Sequence, residues 1–139
     1  DGRWLAYQSS ESGRPEVYVR PFPDVGSARW QISTGGGERP IWSRDGQELF
    51  YVEPAGQGRR VLMRVAVQFA PSFTPGAVTP LFTAAFGSGF IGRDYDVTPD
   101  GQRFLMVKRA ATAVENTNRP HMVLVQHWTQ ELKRLAPAK

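Results

Sequence analysis

The sequence predicts an all-β fold, a β-propeller fragment of about three four-stranded blades of which the first and the last are incomplete. One phrase occurs three times: an Asp-Gly pair, one or two polar or charged residues, then an apolar and partly aromatic segment. The copies begin at Asp1, Asp45 and Asp100, and therefore lie 44 and 55 residues apart. This spacing is close to the period of roughly 40–50 residues that propeller blades show.

The Asp-Gly pairs predict tight turns between neighbouring strands. Glycine adopts a positive φ without steric cost, and the aspartate side chain can accept a hydrogen bond from the backbone that follows. Each copy therefore predicts a strand, a turn and a second strand.

The first unit, residues 1–34, begins inside a repeat, and the strand that should precede its turn is missing. In its second strand Val17 and Val19 fall on one face while Glu16, Tyr18 and Arg20 fall on the other, the alternation typical of a strand. The strands predicted in this unit are Trp4–Ser9, Glu16–Arg20 and Arg29–Thr34.

The second unit, residues 35–86, is the complete one. Its outermost strand contains Pro80, which cannot donate to a ladder and so suits a sheet edge. We expect Phe69 and Phe73 to order the preceding loop, residues 69–76, by packing downwards. The strands predicted here are Arg39–Ser43, Glu48–Glu53, Arg60–Val67 and Ala77–Ala84.

The third unit, residues 87–139, ends differently. Trp128, Leu132 and Leu135 share one face at helical spacing, and Lys133 and Arg134 complement a helix C-terminus. The sequence therefore predicts a short C-terminal helix, Trp128–Leu135, in place of an outer strand. The strands predicted before it are Arg93–Val97, Phe104–Lys108 and Met122–Gln126.

Residues 1–139 form a single domain in this reading, with units of about 1–34, 35–86 and 87–139. Closed propellers need roughly four to eight blades, and three units leave two exposed flanks, which is a liability for a lone chain. We therefore expect either further blades upstream in a larger protein or a homo-oligomer that covers the flanks.

Charge and composition narrow the function classes. The chain carries 17 basic and 13 acidic residues, a net charge of +4, and its basic residues are scattered. Solvated surface charge is the better interpretation, and no nucleic-acid partner is expected. The chain has no cysteine, which excludes disulfides and thiolate metal sites. No stretch approaches the roughly 20 apolar residues of a membrane span.

Three patterns suggest a ligand, and each has a plainer interpretation. Gly87–Gly92 matches Gly-x-Gly-x-x-Gly, but a strand follows it, whereas a dinucleotide site needs a helix there. His121 and His127 would need a common face and a third ligand to bind a metal, and otherwise are structural histidines. Asp94 and Asp96 with Asp100 suggest a hard-cation site, but they lack the spacing of a calcium-binding loop, and hydrogen bonding in turns and between strands is the better interpretation.

Catalytic signatures are weak. The nucleophile motif Gly-x-Ser-x-Gly is absent, and a Ser-His-Asp triad could be assembled from most chains. Several aromatic residues are of the types that stack on bases or sugars, but they sit at equivalent places in repeated strands, where packing between blades needs large flat side chains. They are Trp4, Tyr7, Trp30, Trp42, Phe50 and Tyr51. No catalytic, cofactor-binding or metal-binding residue is assigned.

The repeats carry a family resemblance. Trp42–Gly46 and Val97–Gly101 resemble the Ser-Pro-Asp-Gly signature of TolB-like (WD40-like, PD40) propellers, from which they depart at Arg44 and Thr98. With Asp1–Tyr7 and Glu16–Pro23, the chain is similar to the C-terminal propeller of certain bacterial membrane-anchored serine/threonine kinases. The resemblance implies a sensor or protein-interaction domain, extracytoplasmic where it follows a membrane span. None of the kinase motifs is present.

Two function classes remain open. The leading one is a non-catalytic module, a sensor or scaffold that binds a protein or small molecule as part of a larger protein. The alternative is a hydrolase or lyase with its site at a blade or subunit interface, which would use His121 or His127 with Asp94 or Asp96. The sequence does not identify the ligand.

Overall fold

The described part of the chain is all-β and comprises three antiparallel sheets. The computed structural model describes residues 2–85 and 92–107, and no helix occurs within those ranges. The strands are β1 (Trp4–Ser9), β2 (Glu16–Pro21), β3 (Trp30–Gln31), β4 (Glu38–Trp42), β5 (Glu48–Pro54), β6 (Arg60–Gln68), β7 (Thr74–Ala84), β8 (Tyr95–Val97) and β9 (Phe104–Met106). They form a first sheet in the order β1-β2-β3, a second in the order β4-β5-β6-β7 and a third in the order β8-β9, and neighbouring strands in each sheet are antiparallel.

The turn prediction is confirmed at the second and third Asp-Gly copies, and Gly2 of the first copy has the same backbone conformation. Gly2, Gly46 and Gly101 have φ of 71°, 73° and 69°, values that a residue with a Cβ rarely adopts. In the second copy the Gly46 N–H donates to the carbonyl of Ser43 at 3.0 Å. The chain therefore reverses at the same point in the second and third repeats.

A hydroxyl residue completes the second and third turns. The Glu48 N–H donates to Ser43 Oγ at 2.9 Å, and in the third repeat the Arg103 N–H donates to Thr98 Oγ1 at 3.0 Å. Thr98 thus replaces serine without loss, because both residues supply the same hydroxyl acceptor. Arg44 departs from the motif at a position that these hydrogen bonds do not use.

The second sheet has both of its faces buried. Strand β5 alternates: Leu49 and Tyr51 pack in a cluster with the first sheet, whereas Phe50 and Val52 pack in a cluster with the third sheet. All four side chains are at most 1% exposed. Burying such a side chain contributes about 1.5–3 kcal/mol, so these two clusters form the core that holds the sheets face to face.

The first sheet departs from the prediction in two ways. Its third strand is only Trp30–Gln31, shorter than the predicted Arg29–Thr34. In β2 both faces are buried, since Glu16 and Tyr18 are 1% and 2% exposed. Glu16 accepts hydrogen bonds from Ser33 Oγ, Arg14 Nε and the Gly36 N–H, so this buried carboxylate is fully partnered.

The outer strand and its loop follow the sequence closely. Strand β7 forms the edge of the second sheet and contains Pro80 opposite Met63, beside a register shift in the ladder. It begins at Thr74, earlier than the predicted Ala77. Phe73 is buried and Phe69 packs against the same cluster, which confirms the expected order in this loop.

Two predicted elements, the strand Met122–Gln126 and the helix Trp128–Leu135, lie outside the described residues. In the third sheet, β8 and β9 confirm two short strands inside the predicted Arg93–Val97 and Phe104–Lys108. None of the three sheets closes on itself.

Candidate functional site

A cleft lies where the three sheets meet. Its volume is about 510 Å³, and it takes residues from β1, from β4 and the turn after it, and from β8 and its flanks. We call it the inner cleft. Its lining residues are Trp4, Leu5, Ala6, Pro40, Ile41, Trp42, Arg44, Arg93, Asp96, Val97 and Pro99.

The inner cleft runs along strand edges. Consecutive residues of a strand point to opposite faces, yet Trp4, Leu5 and Ala6 all line the cleft. Three successive residues can do so only where the cleft follows the edge of the strand. Both β1 and β4 are the first strands of their sheets, and each has one edge that pairs with no strand of the described residues.

The backbone groups on the open edge of β1 follow from the pairing register. The Phe22 N–H donates to the Arg3 carbonyl at 2.8 Å, so Arg3 belongs to a hydrogen-bonded pair with the β2 side. In an antiparallel ladder such pairs alternate with pairs whose N–H and C=O groups point away. Those of Trp4, Ala6 and Gln8 therefore point away from β2, towards the open edge.

A second cleft of about 350 Å³ adjoins the first. It lies between the Gly2 turn and the turn formed by residues 43–47, and it shares Trp4, Trp42 and Arg44 with the inner cleft. We call it the turn cleft. Phe69 lines it as well, with its ring 5.3 Å from that of Trp4 and 6.3 Å from that of Trp42.

The wall shared by the two clefts is aromatic and rigid. The Trp4 ring lies 5.8 Å from Trp30 and 5.1 Å from Phe73, and Trp30 lies 4.9 Å from Phe73. Aromatic pairs at such distances contribute about 0.5–1.5 kcal/mol beyond their buried area. The prediction that Trp4, Trp30 and Trp42 serve packing is confirmed, and two of them also line the clefts.

The charged groups of the inner cleft are two arginines and one aspartate. Arg93 lies 3.9 Å from Asp96, and both side chains are mostly exposed, so this pair contributes little to stability. Arg44 has no carboxylate within ion-pair distance among the residues described. The cleft therefore presents one positive charge that is not balanced locally.

Arg39 links all three sheets at the far end of the cleft. Its φ is 57°, in the left-handed region that non-glycine residues rarely adopt, within the irregular pairing between Glu38 and Ile41. The Arg39 N–H donates to Gln8 Oε1 at 2.9 Å, and the Tyr95 hydroxyl donates to its carbonyl at 2.7 Å.

The Arg39 side chain forms an ion pair with Asp94, which is only 3% exposed. Burial raises the pKa of Tyr95, so its hydroxyl remains the donor to Arg39. Asp94 Oδ1 has no hydrogen-bond partner among the described residues. This network sets the positions of β1, β4 and β8 around the cleft.

The structure separates the three aspartates of the suggested cation site. Asp94 is buried against Arg39, Asp96 is 62% exposed, and Asp100 accepts hydrogen bonds from Thr98 and Gln102 in its own turn. Within residues 2–85 and 92–107, no group of three acidic or histidine side chains could hold a metal ion. Asp94 is therefore held by its contact with Arg39, and Asp100 by the hydrogen bonds of its turn.

The turn aspartates are strongly partnered. The hydrogen bond from Ser43, followed by that from the Gln47 N–H, lowers the pKa of Asp45 below its ordinary value of 3.8. Thr98 and then the Gln102 N–H lower the pKa of Asp100 in the same way. These carboxylates stay ionised at neutral pH and are committed to the turns.

The remaining candidates are untested. His121 and His127 lie outside the described residues, as does the Gly-x-Gly-x-x-Gly segment except for Gly92. Sequence reasoning missed Arg39 altogether, because its role depends on partners about 31 and 55 residues away in the chain. The sequence placed Arg39 at the start of a predicted inner strand, but every blade-like unit has such a strand, so this position did not indicate its partners.

Comparison with known proteins adds no assignment. No protein-family model matches the chain, and neither a curated protein nor a solved structure matches it. Among the residues described, no helix is long and apolar enough to cross a membrane.

Proposed function

We propose that this chain is a non-catalytic binding module, a sensor or scaffold built as part of a β-propeller, which takes a protein or small-molecule ligand at the inner cleft. The observation that carries the proposal is the cleft itself: three sheets related by one repeat bring the edges of β1, β4 and β8 around a space of about 510 Å³. That volume is within the range of ligand pockets, roughly 300–1,000 Å³.

The propeller interpretation rests on how the repeats stack. Equivalent residues occupy equivalent positions: Leu49 of β5 and Phe104 of β9 both face the preceding sheet. Face-to-face packing of successive sheets with their first strands around a common space is the arrangement of propeller blades. The family resemblance in the sequence supports the same proposal.

The absence of a catalytic role is supported by what the cleft contains. A general acid or base must reach its substrate and carry a suitable pKa. Among the described residues, Asp96 is the only carboxylate that lines the inner cleft, and it lies in the exposed pair with Arg93. Two indole rings and two guanidinium groups line the cleft beside aliphatic and proline side chains, and such groups recognise ligands by stacking and charge.

Nuclear magnetic resonance of the labelled chain with a library of small-molecule fragments tests the site. We expect bound fragments to shift the indole N–H resonances of Trp4 and Trp42, which line both clefts, and to leave Trp30, which lines neither, unmoved. Shifts confined to residues elsewhere would contradict the cleft as the binding site.

A turnover assay tests the non-catalytic claim. We expect no hydrolysis of simple esters or phosphate esters above that of buffer. Hydrolysis by the chain that disappears in Asp96→Asn, with Asp24→Asn as the control for an exposed carboxylate, would replace this proposal with the enzyme alternative.

The third sheet has an exposed apolar face. Leu105 and Val107 of this sheet are 74% and 49% exposed, whereas the equivalent Phe50 and Val52 are 1% and 0% exposed. We infer that a further sheet, from the parent protein or from another copy of the chain, covers them. Light scattering across a dilution series tests the second source: an oligomer that Leu105→Asp dissociates supports it, and a monomer at every concentration contradicts it.

A further inference from the structure

The outer strands of the first two sheets differ in length. Strand β3 spans two residues, whereas β7 spans eleven. Both end their sheets, and the outer side of β7 pairs with no strand of the described residues. A long edge strand is a template for pairing with another chain, and proteins blunt such edges with short strands, charged residues, bulges or proline. The first sheet has the short strand, so the long β7 needs another means of protection.

The composition of β7 favours pairing with another strand. It contains no charged residue, and Val78, Leu81 and Phe82 are 41%, 36% and 38% exposed. Uncharged segments rich in β-branched and aromatic residues pair readily into sheets unless they contain proline. Charge does not protect this edge, so its two prolines, Pro75 and Pro80, become the candidates for that role.

The pairing register shows which way the two prolines face. The Val67 N–H donates to the Gln47 carbonyl at 2.8 Å, and the register between β5 and β6 is regular. The backbone groups of Val67 and Met63 therefore point towards β5 and away from β7. Pro75 lies opposite Val67, and Pro80 lies opposite Met63. Because both members of such a pair point away from each other, both proline nitrogens face the outer edge, where they present no N–H.

Irregular pairing accompanies each proline. The ladder between β6 and β7 shifts register beside Pro75 and again beside Pro80. Gly76 lies at the first shift, and a Cβ added to it would be 3.0 Å from the Ala66 carbonyl oxygen, so the close approach there requires glycine. Such bulges bend a strand and make its edge a poorer template for a second strand.

The other outward positions of β7 are Val78 and Thr83, which lie opposite Val65 and Val61. The Thr83 carbonyl accepts a hydrogen bond from the Arg59 guanidinium at 3.4 Å. Among the described residues, Val78 is therefore the one of the four outward positions that offers both a backbone donor and a backbone acceptor. A strand added at this edge would lack the regular ladder that holds a sheet together.

We propose that Pro75 and Pro80 close the outer edge of the second sheet to strand addition, so that β7 does not pair with further copies of this chain. This inference is independent of the proposed function, because β7 lines neither cleft. The two prolines act in place of the charged residues that β7 lacks.

The test restores the two missing donors in the full chain with Pro75→Thr and Pro80→Thr combined. The variant and its reference both carry Leu105→Asp, so that association through the third sheet does not contribute. Light scattering across a dilution series should show that the double variant associates at concentrations at least about tenfold lower than the reference, because each restored N–H can donate a hydrogen bond across the new contact. Association should also slow amide exchange of Val78, whose N–H faces the same edge.

Thr79→Val in the same background is the matched control. Thr79 lies opposite Arg64, so its N–H faces β6, and this substitution makes β7 more apolar without adding an outward donor. We expect the control to associate as the reference does. Urea denaturation at low concentration shows whether each variant is folded, and if the double variant is not, the single variants Pro75→Thr and Pro80→Thr decide in its place.

A folded proline variant that associates no more than the reference would overturn the inference, since the prolines would then not be what closes the edge. Equal association of the proline variant and Thr79→Val would overturn it as well, because apolar surface and not the missing donors would then control pairing. Neither result bears on the proposed function, which concerns the clefts.

Discussion

Strands β1 and β5 occupy the same place in successive repeats and have opposite surroundings. Leu5 is 42% exposed, whereas Leu49 at the equivalent position is 0% exposed. Within the part of the chain that the structure describes, β5 has a neighbour on each side, and β1 has one only on the side of β2. One sequence pattern therefore has two surroundings: in the second sheet it builds core, and in the first it lines a cleft.

The largest expected effect is the difference in stability loss between alanine variants of Leu49 and Leu5. Leu49→Ala should lower the free energy of unfolding by about 2–5 kcal/mol, because it leaves a cavity in the core between the first and second sheets. Leu5→Ala should change it by less than about 1 kcal/mol, since the side chain is already partly in water. Urea denaturation of both variants measures the difference, and equal losses would show that the two strands are buried alike.

Glu16 connects the first sheet to the segment that leads into the second sheet. Glu16→Ala removes a buried carboxylate that accepts from Ser33, Arg14 and the Gly36 N–H. Leaving such donors without an acceptor costs about 1–3 kcal/mol. Thermal unfolding measures this loss, and Glu11→Ala, which breaks only the exposed pair with Arg29, should cost less than about 1 kcal/mol. A loss for Glu16→Ala no larger than that of the control would contradict the anchoring role.

The smallest expected effect is the contribution of Asp45, in the turn before β5, to the free energy of unfolding, and this contribution depends on pH. Because the folded pKa of Asp45 is lowered, its ionised form stabilises the fold at pH values above 3.8, and this stabilisation is lost as the pH falls through the folded pKa. Asp45→Asn should therefore be less stable than the wild type at pH 7 and approach it near pH 2. A difference in unfolding free energy that stays constant with pH would contradict this cause.

The sequence predicts the strands far better than the cleft. Period-two alternation and Asp-Gly turns are local signals, so β1, β2, β5 and β6 were found to within one residue at each end. Strand β3 is shorter than predicted: after Gln31 the Ile32 N–H still donates to the Val17 carbonyl at 2.8 Å, but Ser33 then pairs with β2 through its side chain. Ser33 bonds Glu16 and the Val17 N–H, and that partnership is not visible in a local pattern.

The site depends on relations between repeats. The stacking of the sheets decides which indole rings face a cleft and which aspartate contacts Arg39. A local sequence pattern does not report how sheets stack, so it could not predict these contacts. The three aspartates illustrate this point: Asp94, Asp96 and Asp100 are close in sequence, yet one is buried in an ion pair, one is exposed and one belongs to a turn.

The most direct test of the open edge is amide hydrogen exchange at Ala6 and Phe50, measured in the same sample of the full chain. The two amides are equivalent in the repeat, and among the described residues only the Phe50 N–H faces a neighbouring strand. We expect Phe50 to exchange at least about a hundredfold more slowly than Ala6, because its exchange requires the second sheet to open. Equal protection of the two amides would show that the β1 edge is covered in this chain and would contradict the difference between the two strands.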